Sequence, residues 1–434
     1  MSRHLRWLKQ EVAHWRAEGL VDDALAQRIL ARYTDAADRG WGRLIFSAIG
    51  AVLVGFGVIL FFAYNWQDIP KAVKLALVFG ALGAAHGGAM VLARRSNANH
   101  GLIEGLHALG TMLFGAGIWL VAQIYHIDEH YPNAFLIWSL GALALAWAMP
   151  SLVQALLALF LVAFWAGVEL FDFRAPVHGA PLLVALGVLP LAWRRRSPTL
   201  LLYALAVLFL VTAFAVGGIE TKALVPLLFM MGAAAIIAGV AAPVTAFPAA
   251  QGPLHLLGLL VVIGCSYALS FRGMAGTLGQ VDFAKPNLVI YLGATGASIC
   301  GALAGAAVLL ARSGPARVDA YRRWQLALLG LGLVLVLACM FSDCRAGGWT
   351  IALPFNAIVL GLAALLILEG SERLRPWQVG AGCLVFALVT VSRYVDLFSS
   401  LLMRAAVFVA LGVGLFLVGN FYTRQRRRAL EVRP

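Results

Sequence analysis

Apolar runs of about 18 residues or more recur along the whole chain, and they constrain its fold more than any other feature. Wound as an α-helix, such a run crosses the roughly 30 Å hydrocarbon core of a bilayer. Membrane strands would alternate apolar and polar residues instead, and the sequence lacks that alternation. Charged residues make up only 12% of the 434 residues, against roughly 25% in soluble domains. We therefore predict an all-α integral membrane protein, a polytopic helical bundle.

About fourteen such runs follow one another in residues 44–422, so we predict a bundle of about 14 transmembrane helices. Small-residue spacings, Gly80 with Ala84 and Gly301 with Gly305, predict close helix packing in lipid. The predicted spans are approximately Leu44–Tyr64, Lys71–Ala93, Leu102–Tyr125, Asn133–Met149, Ser151–Phe171, Gly179–Trp193, Pro198–Gly217, Ala223–Ala246, Leu254–Phe271, Asn287–Ala311, Trp324–Phe341, Thr350–Glu369, Pro376–Val395 and Ser399–Tyr422.

Lysine and arginine are unevenly distributed among the connecting segments, and this distribution predicts the orientation. Cytoplasmic loops of membrane proteins are enriched in these residues. One missed span would invert the pattern of every later loop, and no such inversion occurs. Because the segments at both ends of the chain belong to the basic set, we predict an even number of spans. Both termini then lie in the cytoplasm. The basic segments contain Arg94, Arg95, Arg194, Arg195, Arg196, Arg312, Arg317, Arg322, Arg323, Arg373, Arg375, Arg424, Arg426, Arg427 and Arg428; the opposite set holds the scattered cations Lys71, Arg174, Lys222, Arg272, Lys285 and Arg345.

Residues 1–43 precede the first apolar run and are polar and amphipathic, which is not typical of a cleaved signal peptide. Gly19 can end a first helix, and Asp22 or Asp23 can cap a second. We predict a cytoplasmic amphipathic helical hairpin that packs on membrane lipids, on its neighbouring loops or on a second subunit, and a cytoplasmic protein partner that binds to it is a further possibility. Residues 423–434 are predicted to form a basic cytoplasmic tail, and the oligomeric state stays open.

The formal charge of +13 does not indicate nucleic-acid binding, because the cations lie between apolar runs and not on one soluble face. Four of the five cysteines lie inside apolar runs and suit buried positions. Cys344 follows Cys339 by five positions, so a disulfide is conceivable, although free thiols are favoured. The cysteines show no metal-ligand spacing, and we predict no cofactor.

Three ionisable residues, His86, Glu104 and His107, fall within the second and third predicted spans. Ionisable groups at membrane depth are energetically unfavourable, so they are candidates for function. Glu104 and His107 are three positions apart and share one helical face. A carboxylate beside imidazoles can relay protons. The favoured interpretation is structural, an interhelical cluster of hydrogen bonds.

The predicted outer loop between the third and fourth spans is rich in histidine and acidic residues. Such residues can bind a divalent metal or act as a general acid or base. The favoured interpretation is a solvated loop that hydrogen-bonds to itself. The turn between the first two spans adds interfacial aromatic and polar residues. The candidate residues of the two segments are Asn65, Trp66, Asp68, Tyr125, His126, Asp128, Glu129, His130 and Asn133.

Arg393 and Asp396 lie at the predicted outer end of the thirteenth span, and Arg404 lies about a turn and a half into the fourteenth. An arginine at that depth needs a counter-ion or water, and Glu169 or Asp396 is the predicted partner. A structural ion pair is favoured over a substrate site. If the two ends of the chain meet, these residues and the outer loops would line a polar pocket at the outer face.

Several segments resemble a bacterial family of predicted membrane proteins catalogued as domain of unknown function 2157. The resemblance runs through Trp15, Gly19-Leu20-Val21-Asp22 and the Ala26–Tyr33 stretch, then Asn65-Trp66 with Ile69-Pro70, and AQIYHIDEHYPNAFLIW from Ala122 to Trp138. It covers roughly the first 150 residues. The Ser392–Phe398 segment, SRYVDLF, is similar to the tail of longer members, where Phe is expected in place of Val395. The resemblance implies an inner-membrane protein and no assigned activity.

Three functions are consistent with these patterns. A transporter or flippase-like carrier of a small or amphiphilic solute is the leading hypothesis, because ionisable groups lie within the spans and little soluble mass is present. One alternative is a non-catalytic membrane scaffold or sensor whose hairpin recruits a partner. The other is a membrane enzyme acting on a lipid-linked substrate at the outer face, with Asp68, Asp128 or Glu129 as acid or base.

Overall fold

The computed structural model describes most of the chain. It covers residues 3–37, 69–95, 100–127, 130–149, 151–285, 288–313, 319–341 and 348–397, and residues 409, 412–414 and 416–421. Helix accounts for 87% of the structure and no described residue lies in a strand, which confirms the all-helical class. Contacts divide the chain into two compact units, Met1–Leu77 and Val78–Pro434.

The principal helices of the described residues are numbered here in chain order. They are α1 Arg3–Ala17, α2 Asp23–Ala37, α3 Lys71–Ala93, α4 His100–Tyr125, α5 Pro132–Ala148, α6 Leu152–Phe171, α7 Gly179–Arg194, α8 Pro198–Gly217, α9 Thr221–Ala241, α10 Gln251–Leu269, α11 Leu288–Ser313, α12 Ala320–Phe341, α13 Trp349–Glu372 and α14 Pro376–Leu397.

Nine helices within the described residues are long and apolar enough to cross a membrane, so the chain is a membrane protein with several apolar helices. These nine are α3, α4, α6 and α8 to α13. Pro132–Ala148, Gly179–Arg194 and Gly412–Phe421 are shorter apolar helices. The predicted first span, residues 44–64, and most of the fourteenth lie outside the described residues, as do the basic tail and Cys344. The number of 14 spans stays a prediction.

The amino-terminal unit contains α1 and α2, which contact each other. Gly19 in the turn between them has φ +72°, a left-handed conformation that glycine adopts without a Cβ clash. Asp22 then caps α2, because its Oδ1 accepts a hydrogen bond from the Leu25 N–H at 2.6 Å. The bounds and location predicted for a hairpin over residues 1–43 stay predictions.

Helix α9 is the most enclosed element of the second unit. In its apolar window 67% of the residues are buried, against 11% in α3 and in α11. Phe229 and Ile236 of α9 belong to a core cluster formed with α10, α12 and α13, whereas Ala235 belongs to a second cluster formed with α6, α7 and α8. The helix therefore joins the two largest clusters of buried side chains.

Glycines set the closest helix crossings. A Cβ added at Gly258 of α10 would lie 2.7 Å from the carbonyl oxygen of Gly232 in α9, closer than side chains pack. The positions predicted to mediate such crossings, Gly80, Gly301 and Gly305, have open space within 4 Å among the described residues. Small-residue spacing alone did not identify the crossings, because such spacings recur throughout a glycine-rich chain.

One helix departs from regular α-helical geometry, and two others contain an internal proline. α7 contains a six-residue π-helical segment, Leu183–Val188, and α9 and α13 carry Pro226 and Pro354 in their interiors. Such backbone is tolerated at membrane depth only where neighbouring groups satisfy the freed hydrogen-bonding atoms. Trp147 of α5 does so in one case, because its indole N–H donates to the Gly187 carbonyl at 2.8 Å.

Candidate functional site

Two histidines meet between α3 and α4. His86 Nδ1 lies 2.9 Å from His107 Nδ1, and the His107 side chain is buried. A Cβ at Gly110 would lie 2.5 Å from His86 Nε2, so this glycine provides the space that the imidazole occupies. A hydrogen bond between two ring nitrogens requires that one is protonated and the other is not. The pair therefore has two tautomeric arrangements.

A set of hydrogen bonds continues from the histidines to α6. The Thr111 hydroxyl lies 3.0 Å from the His107 carbonyl oxygen and 2.9 Å from Gln154 Oε1, and it donates its single proton to one of them at a time. Ser151 Oγ accepts from the Gln154 N–H at 3.2 Å and donates to Glu104 Oε1 at 2.9 Å. We call these six residues, His86, Glu104, His107, Thr111, Ser151 and Gln154, the polar network.

Local sequence explains why Ser151 stands at the junction of this network. It is the N-cap of α6, where a serine oxygen satisfies a backbone N–H that has no helical partner. The Arg195 guanidinium donates to the carbonyl oxygens of Ala146, Met149 and Ser151, and so satisfies the carboxyl end of α5. Burial, followed by the charge of Arg194, lowers the pKa of Arg195. The turn that positions Ser151 is thereby held by a cation.

The polar network has one unsatisfied group. Gln154 is fully buried, and its Nε2 has no acceptor among the described residues. A buried polar group without a partner costs roughly 1–3 kcal/mol. The network thus combines a carboxylate at one end, two imidazoles at the other and an amide NH2 group without a described acceptor between them, which can donate hydrogen bonds to a bound polar group.

Only part of this arrangement is predictable from the sequence. The structure brings Glu104, His107 and His86 into one network, although Glu104 reaches the histidines only through α6. Thr111, Ser151 and Gln154 were missed, because neutral polar residues carry little signal. The sequence contained one usable sign, a glutamine in the otherwise apolar first turn of a predicted span.

A second polar cluster joins the segment before α5 to the end of α6. His130 Nε2 lies 2.8 Å from Glu169 Oε2, and the Trp165 indole N–H donates to Glu169 Oε1 at 3.2 Å. Tyr131 donates to Asp172 at 2.8 Å, and that hydrogen bond raises the pKa of Tyr131. Glu169, one predicted partner of Arg404, is therefore engaged by His130 and Trp165. Arg404 itself lies outside the described residues.

The structure describes only some of the other candidate residues of the predicted outer loop and of the turn between the first two spans. Tyr125 and His126 end α4 and are exposed, His126 has φ +51°, and Asn133 is exposed in the first turn of α5. Asp128 and Glu129 lie outside the described residues, as do Asn65, Trp66 and Asp68. Within the described part, no three His, Cys, Asp or Glu side chains are placed to hold a metal. Metal binding by the complete loop stays a hypothesis.

Arg393 of α14 lies at the end of α10. Its guanidinium donates to Ser270 Oγ at 2.6 Å and stands 4.2 Å from the ring centroid of Phe271. Asn356 of α13 reaches the same place and donates to the Ser270 carbonyl at 3.0 Å. Asp396 lies in α14, but its side chain is outside the described part. A single outer pocket that unites Arg393 with the His130 loop stays a prediction.

One cavity among the described residues was not predicted from the sequence. It has a volume of about 820 Å³ and is formed by the first turns of α8, α10, α12 and α14 and the last turns of α13. We call it the basic cavity, and its polar lining includes His255, Arg322, Glu369, Arg373, Arg375 and Gln378. Its arginines were interpreted only as markers of topology, which is why sequence reasoning did not bring them together.

Comparison with known proteins adds one result. The model of a family described as predicted membrane protein (DUF2157) matches residues 13–155, a range that holds all six residues of the polar network. The match does not include the Ser392–Phe398 segment. No curated protein and no solved structure matches the chain. Over residues 13–155 the chain thus has the similarity to the DUF2157 predicted membrane proteins that its sequence motifs indicate.

Proposed function

We propose that the chain is a carrier that moves a small or amphiphilic solute across a bacterial inner membrane. The observation that carries this proposal is the polar network, in which the amide NH2 group of a fully buried glutamine has no acceptor among the described residues. Burying such groups in apolar helices lowers stability, and the usual compensation is a function that uses them. A purely structural cluster would be expected to satisfy all of its donors.

Irregular helices support the same proposal. Carriers place discontinuous helices around a central site, because interrupted backbone offers binding groups and points of movement. The π-helical segment of α7 follows α6, which carries Gln154, and two helices of the core contain an internal proline, Pro226 and Pro354.

The proposed topology has about 14 spans with both termini in the cytoplasm. Contacts within the second unit support it, because each joins helix ends that the charge pattern assigns to the same side. The contacts assigned to the outer side are His130 with Glu169, His178 with Tyr291 and Arg393 with Ser270; those assigned to the inner side are Arg195 with Ala146 and Arg373 with Asp319.

Reconstitution tests this function. Purified protein in liposomes that contain a fluorescent phospholipid probe should expose inner-leaflet probe to the membrane-impermeant reductant dithionite, whereas empty liposomes should not. Gln154→Leu, which keeps the volume of the side chain, should lower the rate at least tenfold. The control is Ser139→Ala, a buried serine of α5 that bonds only to its own helix, at the Leu136 carbonyl.

Two results would count against a carrier that uses this network. One is that the wild-type protein moves neither the lipid probe nor protons, the latter followed with an entrapped pH dye under an imposed gradient. The other is that folded Gln154→Leu protein moves the probe at the wild-type rate.

A scaffold or sensor is the second candidate, favoured by one observation in the amino-terminal unit. Trp7, Leu20 and Leu25 of this unit are 57%, 69% and 45% exposed. A partner that covered these side chains would remove their apolar surface from water. Deletion of residues 1–37 should abolish associations captured by crosslinking in cells, while a carrier keeps its transport.

A further inference from the structure

The basic cavity lies where five helix ends meet, and it shares no residue with the polar network. Its volume of about 820 Å³ is within the range of ordinary small-molecule sites. All of its charged residues come from helix ends that the charge pattern assigns to one side of the membrane. It therefore opens at the level of lipid headgroups, not at the middle of the bilayer.

The charge of the cavity is suited to an anion. Arg373 is engaged, because it forms salt bridges with Asp319 and, at 3.0 Å, with Glu369. The guanidinium groups of Arg322 and Arg375 form no salt bridge with any carboxylate in the part of the chain that the structure describes. Arg322 instead contacts the side-chain oxygen of Gln251. Neither arginine is thus neutralised by a described carboxylate, and both can attract a phosphate, whose oxygens match their planar donors.

Gln378 supplies an independent sign of a ligand. It lines the cavity and is only 7% exposed, yet its Oε1 receives no hydrogen bond from any described residue. A buried carbonyl oxygen without a donor is unfavourable. A ligand that carries a hydroxyl group beside its phosphate would supply the missing donor.

The remaining wall of the cavity is apolar and continues onto the lipid-facing surface. Leu256 and Leu260, one turn apart on α10, are 45% and 63% exposed, and Trp377 at the start of α14 is 59% exposed. Tryptophan is characteristic of the membrane interface. Free phosphate would leave this wall unused, whereas acyl chains would cover it.

We propose that the basic cavity binds an anionic glycerophospholipid. Arg322 and Arg375 hold the phosphate, a headgroup hydroxyl donates to Gln378 Oε1, and the acyl chains lie along Leu256 and Leu260. Basic pockets between the ends of membrane helices recognise lipid headgroups in this way. The site is separate from the polar network and does not depend on the carrier function.

Native mass spectrometry of the full-length protein in detergent tests this proposal. Titration with phosphatidylglycerol should give a bound lipid, and phosphatidylcholine should bind at least tenfold more weakly. Arg322→Ala with Arg375→Ala should weaken phosphatidylglycerol binding at least tenfold. The matched control is Arg94→Ala with Arg95→Ala, which removes the same charge from the carboxyl end of α3, outside the cavity.

Competition measurements distinguish a lipid phosphate from a soluble phosphate, and a second variant keeps the test valid if the double variant does not fold. Inorganic phosphate and glycerol phosphate should not compete with the lipid; competition at equal concentration would show a soluble-anion site and overturn the proposal. Equal lipid binding by the cavity variant and the control variant would overturn it as well. If the double variant does not fold, Gln378→Glu places a negative charge in the cavity and should weaken phosphatidylglycerol binding, and unchanged binding would contradict the proposal.

Discussion

Two imidazole nitrogens 2.9 Å apart impose a chemical condition on the residues around them. The contact exists only while one of the two facing nitrogens lacks a proton, because two facing N–H groups would repel. Full protonation of both rings would also place two positive charges together among apolar helices. The pair can therefore hold one excess proton, but a second one would separate the rings.

The position of this pair depends on a glycine, which gives a residue-level prediction. Gly110→Ala would place a methyl group 2.5 Å from His86 Nε2, so the ring must move. We expect a loss of about 1–3 kcal/mol in the free energy of unfolding, typical of overpacking. Thermal unfolding of the purified protein in detergent measures it as a lower Tm.

Gly105→Ala is the matched control for that experiment. It lies on the same helix and has no heavy atom within 4 Å among the described residues, so the methyl group should be accommodated. Replacing glycine by alanine within a helix usually raises stability by up to about 1 kcal/mol. Equal Tm values for the two variants would contradict the packing described for His86.

At the scale of elements, the bounds of the helices were predictable from the sequence, whereas the pairs of helices that pack together were not. The predicted and observed bounds coincide for Lys71–Ala93 and Pro198–Gly217. Proline, glycine and charged residues mark where a helix leaves the apolar medium, and these marks are local in sequence. The pairing of helices depends on which apolar faces fit together. Leucine, valine and alanine occur on all faces of these helices, so the composition of a face does not identify the helix that packs against it. The π-helical segment of α7 was likewise not predicted, since nothing but nearby Pro190 distinguishes it.

The crossing of α9 with α10 gives a prediction at this scale. Gly258→Leu would force a side chain against the backbone of α9 at Gly232, and we expect the two helices to separate. Gly264→Leu on the same helix has no heavy atom within 4 Å in the described part and should be tolerated. Size-exclusion chromatography should give a monodisperse peak for the second variant alone, and a monodisperse Gly258→Leu protein would contradict the crossing.

For the whole molecule, the sequence reveals single candidate residues but not which residues tertiary packing brings together in one site. His86, Glu104 and His107 were found because ionisable residues stand out in an apolar run. Ser151 and Gln154 were not connected with them, because they belong to a third helix whose neighbour relations are set by tertiary packing. Arg322 and Arg375 were noticed only for their charge, since membrane orientation and anion binding both use arginine.

The membrane threading of this bundle is the claim on which the rest depends, and reporter fusions test it most directly. His130 and Arg196 lie at opposite ends of the α5 to α7 segment, with three apolar helices between them. A reporter active only outside the cytoplasm, fused after His130, should be active in cells, and the same reporter after Arg196 should be inactive. Activity at both positions, or at neither, would contradict the threading.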